Sequence, residues 1–252
     1  MTEAQPAQAP ADNTMPLFYK NPQALEPVRH AKAGLNPKNN FAFSRGTNAV
    51  AITVPEFSSA AFNYPIVFSI TTPVVPFAVL GIRDNENLFV GADGRWREDA
   101  YIPAYVRRYP FIFSEVPDDR LVLCVDEAAE QYETVSTQPF FIDGKPSENL
   151  QRALNFSQLF HSQLDETRRF STWLDENGML EEKMARADLA NGQSYTMRGF
   201  RLINPEKINT LTDAQILELH RKGWLSLLYF HLQSLQHWPT LSRMIPQTPV
   251  AA

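Results

Sequence analysis

The chain has 252 residues, of which 44% are hydrophobic and 20% charged, so it can form one large domain or two small ones with a substantial core. Its formal net charge of −5 and its pI of about 5.6 argue against nonspecific nucleic-acid binding, which needs a basic surface. The single cysteine, Cys124, excludes an intramolecular disulfide, and no segment approaches the roughly 18 apolar residues of a membrane helix.

The first residues, MTEAQPAQAPADNT, contain neither the positively charged region nor the apolar region of a secretory signal. The sequence therefore predicts a cytoplasmic protein, and export to the cell surface without an N-terminal signal is the alternative. Residues 1–14 are rich in Ala, Pro and Gln, and we expect them and the similar tail 246–252 to be disordered.

Residues 15–145 form a proline-punctuated half that we expect to be rich in strands. The Asp-Gly pairs at 93–94 and 143–144 are typical of tight turns between strands. Short apolar runs predict strands at 49–54, 66–70, 77–82, 87–90, 111–113 and 121–125.

Two segments within this half repeat one short design. The first Tyr-Pro segment (55–68) reads PEFSSAAFNYPIVF, and the second Tyr-Pro segment (103–113) reads PAYVRRYPFIF. Each has an opening proline, a stretch compatible with a helix, a Tyr-Pro pair and an apolar run. Because the residue before a proline is disfavoured in the α region, we expect Tyr64 and Tyr109 to mark exits from short helices into strands. The repeat is too short to establish a duplication.

Residues 146–245 have a mainly helical pattern. Ser147 is a candidate N-cap for a helix that runs to about Glu176, where Asn177-Gly178 would end it. After this helix, residues 193–203 predict one or two strands. We favour an α+β fold in which the strand-rich half and the helical half form a single compact domain over residues 15–245.

A capping box predicts a second long helix near the end of the chain. Thr212 and Gln215 have the spacing of such a box, and we expect the helix to reach Trp238, where Pro239 would stop it. Its stretch 224–232 is apolar nearly all round, which indicates burial.

The most informative charges are Arg107 and Arg108, which only the second Tyr-Pro segment carries. Guanidinium groups bind carboxylates and other anions bidentately, which suggests an anion site. Alternatively, one arginine stabilises the fold and the other is solvated. Because consecutive helical residues point about 100° apart, the two arginines are not expected to bind the same ligand. The candidate binding residues are Arg107, Arg108, Trp96, Tyr101, Glu56 and His30.

No catalytic residue, metal site or cofactor is predicted. The five histidines lack metal-motif spacing, and the chain has no GxSxG, Walker A or GxGxxG motif. Cys124 is expected to be a buried thiol in a strand, and Asp126-Glu127 a solvated strand end. The aromatic residues indicate core packing rather than a platform for stacking nucleic-acid bases.

The chain resembles the bacterial SapC family over roughly residues 15–245. The resemblance rests on PEFSSAAFNYPIVF, FAVLGIRDNENLFV, DGRW, YIPAYVRRYPFIF and LCVDE, and further on NGMLEE and MRGFRLINPEKINTL. The family is named for an association with a bacterial surface layer. An unrelated membrane permease has the same name, but this chain does not fit it because no transmembrane segment is predicted. The resemblance implies no catalytic residues.

Three functions are compatible with these observations. The first is a non-catalytic binding or accessory protein with a protein or peptide partner, connected with a cell-surface or surface-layer pathway. The second is an enzyme of unrecognised class that holds an anionic substrate through Arg107 or Arg108, with His30 or Glu56 as acid-base group. The third is a structural surface-layer subunit. The resemblance also implies a role as accessory partner of a flavin-dependent halogenase-like enzyme.

Overall fold

The computed structural model describes residues 15–36, 40–117, 120–188 and 192–245. The tails that we expect to be disordered, 1–14 and 246–252, lie outside these residues. Strands and helices mix throughout the rest, which confirms the α+β class.

The strands fall into one large sheet, one small sheet and two short pairs, all antiparallel. The strands within the described ranges are β1 Pro22–Ala24, β2 Gly34–Leu35, β3 Ala49–Ala51, β4 Ile66–Ser69, β5 Pro76–Val79, β6 Phe111–Val116, β7 Arg120–Asp126, β8 Tyr132–Glu133, β9 Phe141–Ile142, β10 Lys145–Pro146, β11 Leu180–Asp188 and β12 Ser194–Ile203. The helices there are α1 Phe57–Ala60, α2 Ala104–Arg107, α3 Glu148–Glu176, α4 Pro205–Asn209, α5 Asp213–Arg221, α6 Leu225–Ser234 and α7 Trp238–Met244.

The large sheet has the order β11-β12-β4-β5-β3 and carries the main core. Its central strand β4 reads IVFS, and Ile66, Val67 and Phe68 are all buried, so both faces of this strand are covered. A strand covered on both faces needs a continuous apolar run rather than alternation. Leu228 of α6 and Phe170 of α3 belong to the same core.

The small sheet has the order β1-β7-β6 and carries a separate core. Phe111 pairs with Val125 in its register, and both side chains pack with Phe140 and Leu150. Cys124 is a buried free thiol in β7, and burial raises the pKa of this thiol.

Helix α3 joins the two cores and confirms the predicted helix. The Ser147 side chain accepts a hydrogen bond from the backbone N–H of Leu150, which caps the N-terminus. At the other end Gly178 has a φ of +61°, a left-handed conformation that favours glycine. With 29 residues the helix is about 43 Å long, so Leu150 lies in the small core while Leu174 lies in the large one.

The C-terminal helix differs from the prediction. The capping box at Thr212 is confirmed, but Gly223 adopts a φ of +70° and separates α5 from α6. Pro239 does not stop a helix, because it lies in the first turn of α7, where a missing N–H costs nothing. Trp224 and Leu228 are buried as expected, whereas Tyr229 is exposed.

One strand prediction was wrong, and one strand was not predicted. Residues 87–90 form a turn, because the Asn87 side-chain oxygen accepts a hydrogen bond from the N–H of Phe89 two residues on. Strand β11 reads LEEKMARAD, which is too charged to be recognised as a strand, and it pairs with β12 along the edge of the large sheet.

Both Tyr-Pro segments pass from a short helix into a strand, as predicted. The first runs from α1 through Tyr64 into β4 of the large sheet, and the second runs from α2 through Tyr109 into β6 of the small sheet. The Tyr109–Pro110 peptide is cis, and Tyr64–Pro65 is not. The segments therefore share an order of elements but belong to different sheets.

Candidate functional site

A cavity of about 490 Å³ opens beside Tyr109-Pro110-Phe111, and we call it the main cavity. Its walls come from the second Tyr-Pro segment, the loop around residues 40–43 and the connections that follow β7. The lining residues are Leu35, Asn36, Asn40, Phe41, Phe43, Ile102, Val106, Arg107, Tyr109, Pro110, Phe111, Gln131, Gln138, Phe140 and Asn149.

Aromatic rings form one wall of the main cavity. The Phe43 and Tyr109 rings lie 4.2 Å apart between centroids, and Phe41 packs against Phe43. Phe111 and Phe140, which also line the cavity, meet edge to face. Such pairs hold their rings in fixed geometry, so this wall is preformed.

Tyr109 is anchored by a buried carboxylate. Its hydroxyl donates to Asp126, which also accepts hydrogen bonds from the backbone N–H groups of Lys20, Asn21 and Ala128. Burial, followed by the charge of Asp126, raises the pKa of Tyr109. The expectation that Asp126 is a solvated strand end is wrong, because the segment before β1 places two N–H donors against this carboxylate.

Amide side chains supply the polar groups of the main cavity. The Asn40 side-chain oxygen accepts from the N–H of Ala42, and the Gln131 amide donates to the carbonyl of Asn40. The Asn149 amide donates to the side-chain oxygen of Gln138. These residues come from four separate stretches of chain with no common spacing, so no sequence motif could have identified them.

Arg107 lies where the main cavity meets a second cavity of about 380 Å³. Its Nε donates to the carbonyl of Ile102 at 2.9 Å, and its Nη2 donates to the Tyr101 hydroxyl at 3.0 Å. The guanidinium carbon is 5.1 Å from the centroid of the Phe156 ring. The side chain is exposed, and no carboxylate among the described residues forms an ion pair with it.

Arg108 points elsewhere, as the angular offset between helical neighbours predicts. Its guanidinium carbon lies 4.3 Å from the Tyr105 ring centroid, 4.7 Å from Phe160 and 5.7 Å from Tyr19. Its Nε is buried and has no hydrogen-bond partner among the described residues. Arg108 therefore packs among rings, lines none of the cavities described in this section, and does not share a ligand site with Arg107.

Glu56 and Tyr101 support Arg107 from the second cavity. One carboxylate oxygen of Glu56 accepts from the backbone N–H and hydroxyl of Thr53, which forms a capping box. The other accepts from the Tyr101 hydroxyl at 3.1 Å and the N–H of Ala104 at 2.6 Å. Burial, and then the charge of Glu56, raises the pKa of Tyr101 to about 12. Since both oxygens of Glu56 already accept two hydrogen bonds, its contacts are those of a structural group.

Trp96 and His30 lie apart from Arg107. The Trp96 ring is buried in the large core, and its Nε1 donates to the Tyr64 hydroxyl. His30 is also buried; its Nδ1 accepts from the N–H of Glu26, and its Nε2 lies 3.1 Å from Glu127. His30 lines neither cavity at Arg107.

The main cavity shares lining residues with two other cavities. A third cavity of about 610 Å³, bordered by Trp96, shares Asn40, Phe41 and Ile102 with it, and the second cavity shares Arg107. The three cavities are therefore neighbours that share lining residues, and we refer to them together as the groove.

Two other kinds of site have no counterpart in the part of the chain that the structure describes. There, no group of three or more His, Cys, Asp or Glu side chains is placed to hold a metal ion. None of the helices in the described ranges combines the length and the apolar character needed to cross a bilayer.

Comparison with known proteins identifies a family. The model of the family described as SapC matches residues 25–241, which is most of the chain and includes both Tyr-Pro segments. No curated protein and no solved structure matches the chain.

Proposed function

The chain belongs to the SapC family, and from this premise and the groove we propose that it is a non-catalytic binding protein for a polypeptide segment of a partner. The observation that carries the proposal is the composition of the main cavity. Among the described residues that line it, only Arg107 and Tyr109 have ionisable side chains, and the raised pKa of Tyr109 makes it a poor acid-base group. A volume of about 490 Å³ with aromatic walls and convergent amides is typical of a binding site.

The amides favour a polypeptide as the ligand. Each Asn or Gln side chain has two N–H donors and an acceptor oxygen, so Asn149 and Gln138 keep hydrogen-bonding capacity beyond their mutual contact. An extended peptide presents alternating N–H and C=O groups that match such amides. The aromatic rings of Phe41 and Phe43 provide apolar surface for its side chains.

The length of the groove supports the same conclusion. Three cavities that share lining residues accommodate a longer chain than one compact small molecule needs. We extend the proposal to an accessory role in a cell-surface pathway, and this extension rests on the family resemblance alone.

Site-specific photocrosslinking tests the proposed function. A benzophenone amino acid at Asn149, which is exposed and lines the main cavity, is compared with the same group at Glu182, which is exposed on β11 outside the groove. In the native host we expect one polypeptide adduct from position 149 and none from position 182, and excess unlabelled protein should suppress the adduct. Absence of an adduct at 149, together with turnover of a small molecule by the purified protein, would instead support the enzyme hypothesis.

A further inference from the structure

We infer that the polypeptide segment bound in the groove presents a carboxylate to Arg107. This inference rests on the proposed function and adds the chemical class of the segment. Its source is either an Asp or Glu side chain or a free C-terminus, since both offer the same pair of oxygens.

The first argument is the rigidity of Arg107. Its Nε and Nη2 are held by the Ile102 carbonyl and the Tyr101 hydroxyl, and its guanidinium lies near the Tyr101 and Phe156 rings. An exposed arginine ordinarily loses rotamer freedom when it binds a ligand, and this loss weakens binding. Here the folded protein has already fixed the guanidinium, so a ligand gains more from the contact.

The second argument is the direction of the remaining donors. Nη1 has no hydrogen-bond partner among the described residues, and one N–H of Nη2 also remains. These two nitrogens form the end of the guanidinium fork, and a carboxylate binds such an end through two parallel hydrogen bonds. Lysine offers no planar fork of this kind.

The third argument is the local charge. The carboxylate of Glu56 is linked to Arg107 through the Tyr101 hydroxyl, which donates to Glu56 and accepts from Arg107. Both oxygens of Glu56 also accept other hydrogen bonds. Among the residues that the structure describes, the cation therefore has no direct anionic partner at the junction of two cavities, where an incoming carboxylate complements its charge.

The test uses immobilised nonapeptides with one position fixed and the others randomised among uncharged residues. One set has amidated C-termini and a fixed Asp, Glu, Asn or Gln, and the other has free C-termini and a fixed Asn or Gln. We expect wild-type protein to bind a carboxylate-bearing set about tenfold to a hundredfold more tightly than the neutral set, as a charge-assisted hydrogen bond implies. The preferred set identifies the source of the carboxylate, and the preference should weaken as salt is raised.

Substitutions assign the preference to Arg107. Arg107→Gln should remove it while binding of neutral peptides persists, and Arg107→Lys should keep only part of it because the fork is lost. The matched control is Arg168→Gln on α3, an exposed arginine outside the cavity linings that should keep the wild-type preference. Thermal unfolding followed by circular dichroism checks that each variant is folded.

The two proposals fail in different ways. Binding of neutral and acidic peptides with equal affinity, or an acidic preference that survives in folded Arg107→Gln, overturns the carboxylate inference and leaves the proposed function standing. Absence of binding to every peptide set overturns the proposed function, and the inference falls with it.

Discussion

Glu56 joins the two Tyr-Pro segments, and its removal gives the sharpest stability prediction. Its carboxylate accepts from the N–H and hydroxyl of Thr53 and from Tyr101 and Ala104. In Glu56→Ala the backbone N–H groups of Thr53 and Ala104 lose their partner inside the protein, while the two hydroxyls can turn to other acceptors. At about 1–3 kcal/mol for each of these two buried unsatisfied donors, we expect a loss of roughly 2–6 kcal/mol in the free energy of unfolding.

Glu56→Gln separates the loss of hydrogen bonds from the loss of volume. The amide keeps one acceptor oxygen, but its NH₂ group must face two donors, either those of Thr53 or the pair from Tyr101 and Ala104. We expect an intermediate loss of about 1–3 kcal/mol. The measurement is urea unfolding followed by tryptophan fluorescence, with exposed Glu98→Gln as the control, which should change stability by less than about 0.5 kcal/mol. A loss below about 1 kcal/mol for Glu56→Ala would refute the structural role.

Two further predictions concern the core. Burial lowers the pKa of His231 from 6.5 to about 3, so below pH 6.5 the unfolded chain binds a proton that the folded protein does not bind until about pH 3. The free energy of unfolding should therefore fall by about 2 kcal/mol between pH 7 and pH 5, as urea unfolding at each pH would measure. The fall should be smaller in His231→Gln and equal to that of the wild type in His220→Gln, where the replaced histidine is exposed. Gly81→Ala places a Cβ 2.1 Å from the carbonyl oxygen of Glu86 and should lower the free energy of unfolding by about 1–3 kcal/mol or more, and with it the melting temperature. The Cβ of Gly46→Ala meets nothing within 4 Å and should lower the melting temperature little. Equal melting temperatures for the two variants would contradict this prediction.

Local signals determined which parts of the fold could be predicted. The side chain of Ser147 caps its own helix, and Tyr109 precedes a proline, so each acts within a few residues and was identified correctly. Strand β11 depends instead on pairing with β12 at the sheet edge, where charged side chains reach solvent and mask the strand pattern. Asp126 was misjudged for a similar reason, since two of its donors, the N–H groups of Lys20 and Asn21, lie more than 100 residues away in sequence.

The candidate site was predictable only where its residues are neighbours in sequence. Arg107 stood out because a charge pair is unusual beside Tyr-Pro, and the structure places it at the junction of two cavities. The amides of Asn40, Gln131 and Asn149 are brought together by the small sheet and the connections around it. Asn and Gln are ordinary loop residues, so nothing in the sequence distinguished these three.

The contacts of the first Tyr-Pro segment with Tyr101, which lies two residues before the second segment, give the repeat a physical meaning. Asn63, which aligns with Arg108, accepts from the N–H of Tyr101, and the Tyr64 hydroxyl donates to the Tyr101 carbonyl. Glu56 accepts from the Tyr101 hydroxyl, which in turn accepts from Arg107. Three polar groups of the first segment thus fix the residue that orients Arg107. The first segment serves as a scaffold and the second presents the cation, so a change at Asn63 should disturb binding at Arg107 without touching the ligand.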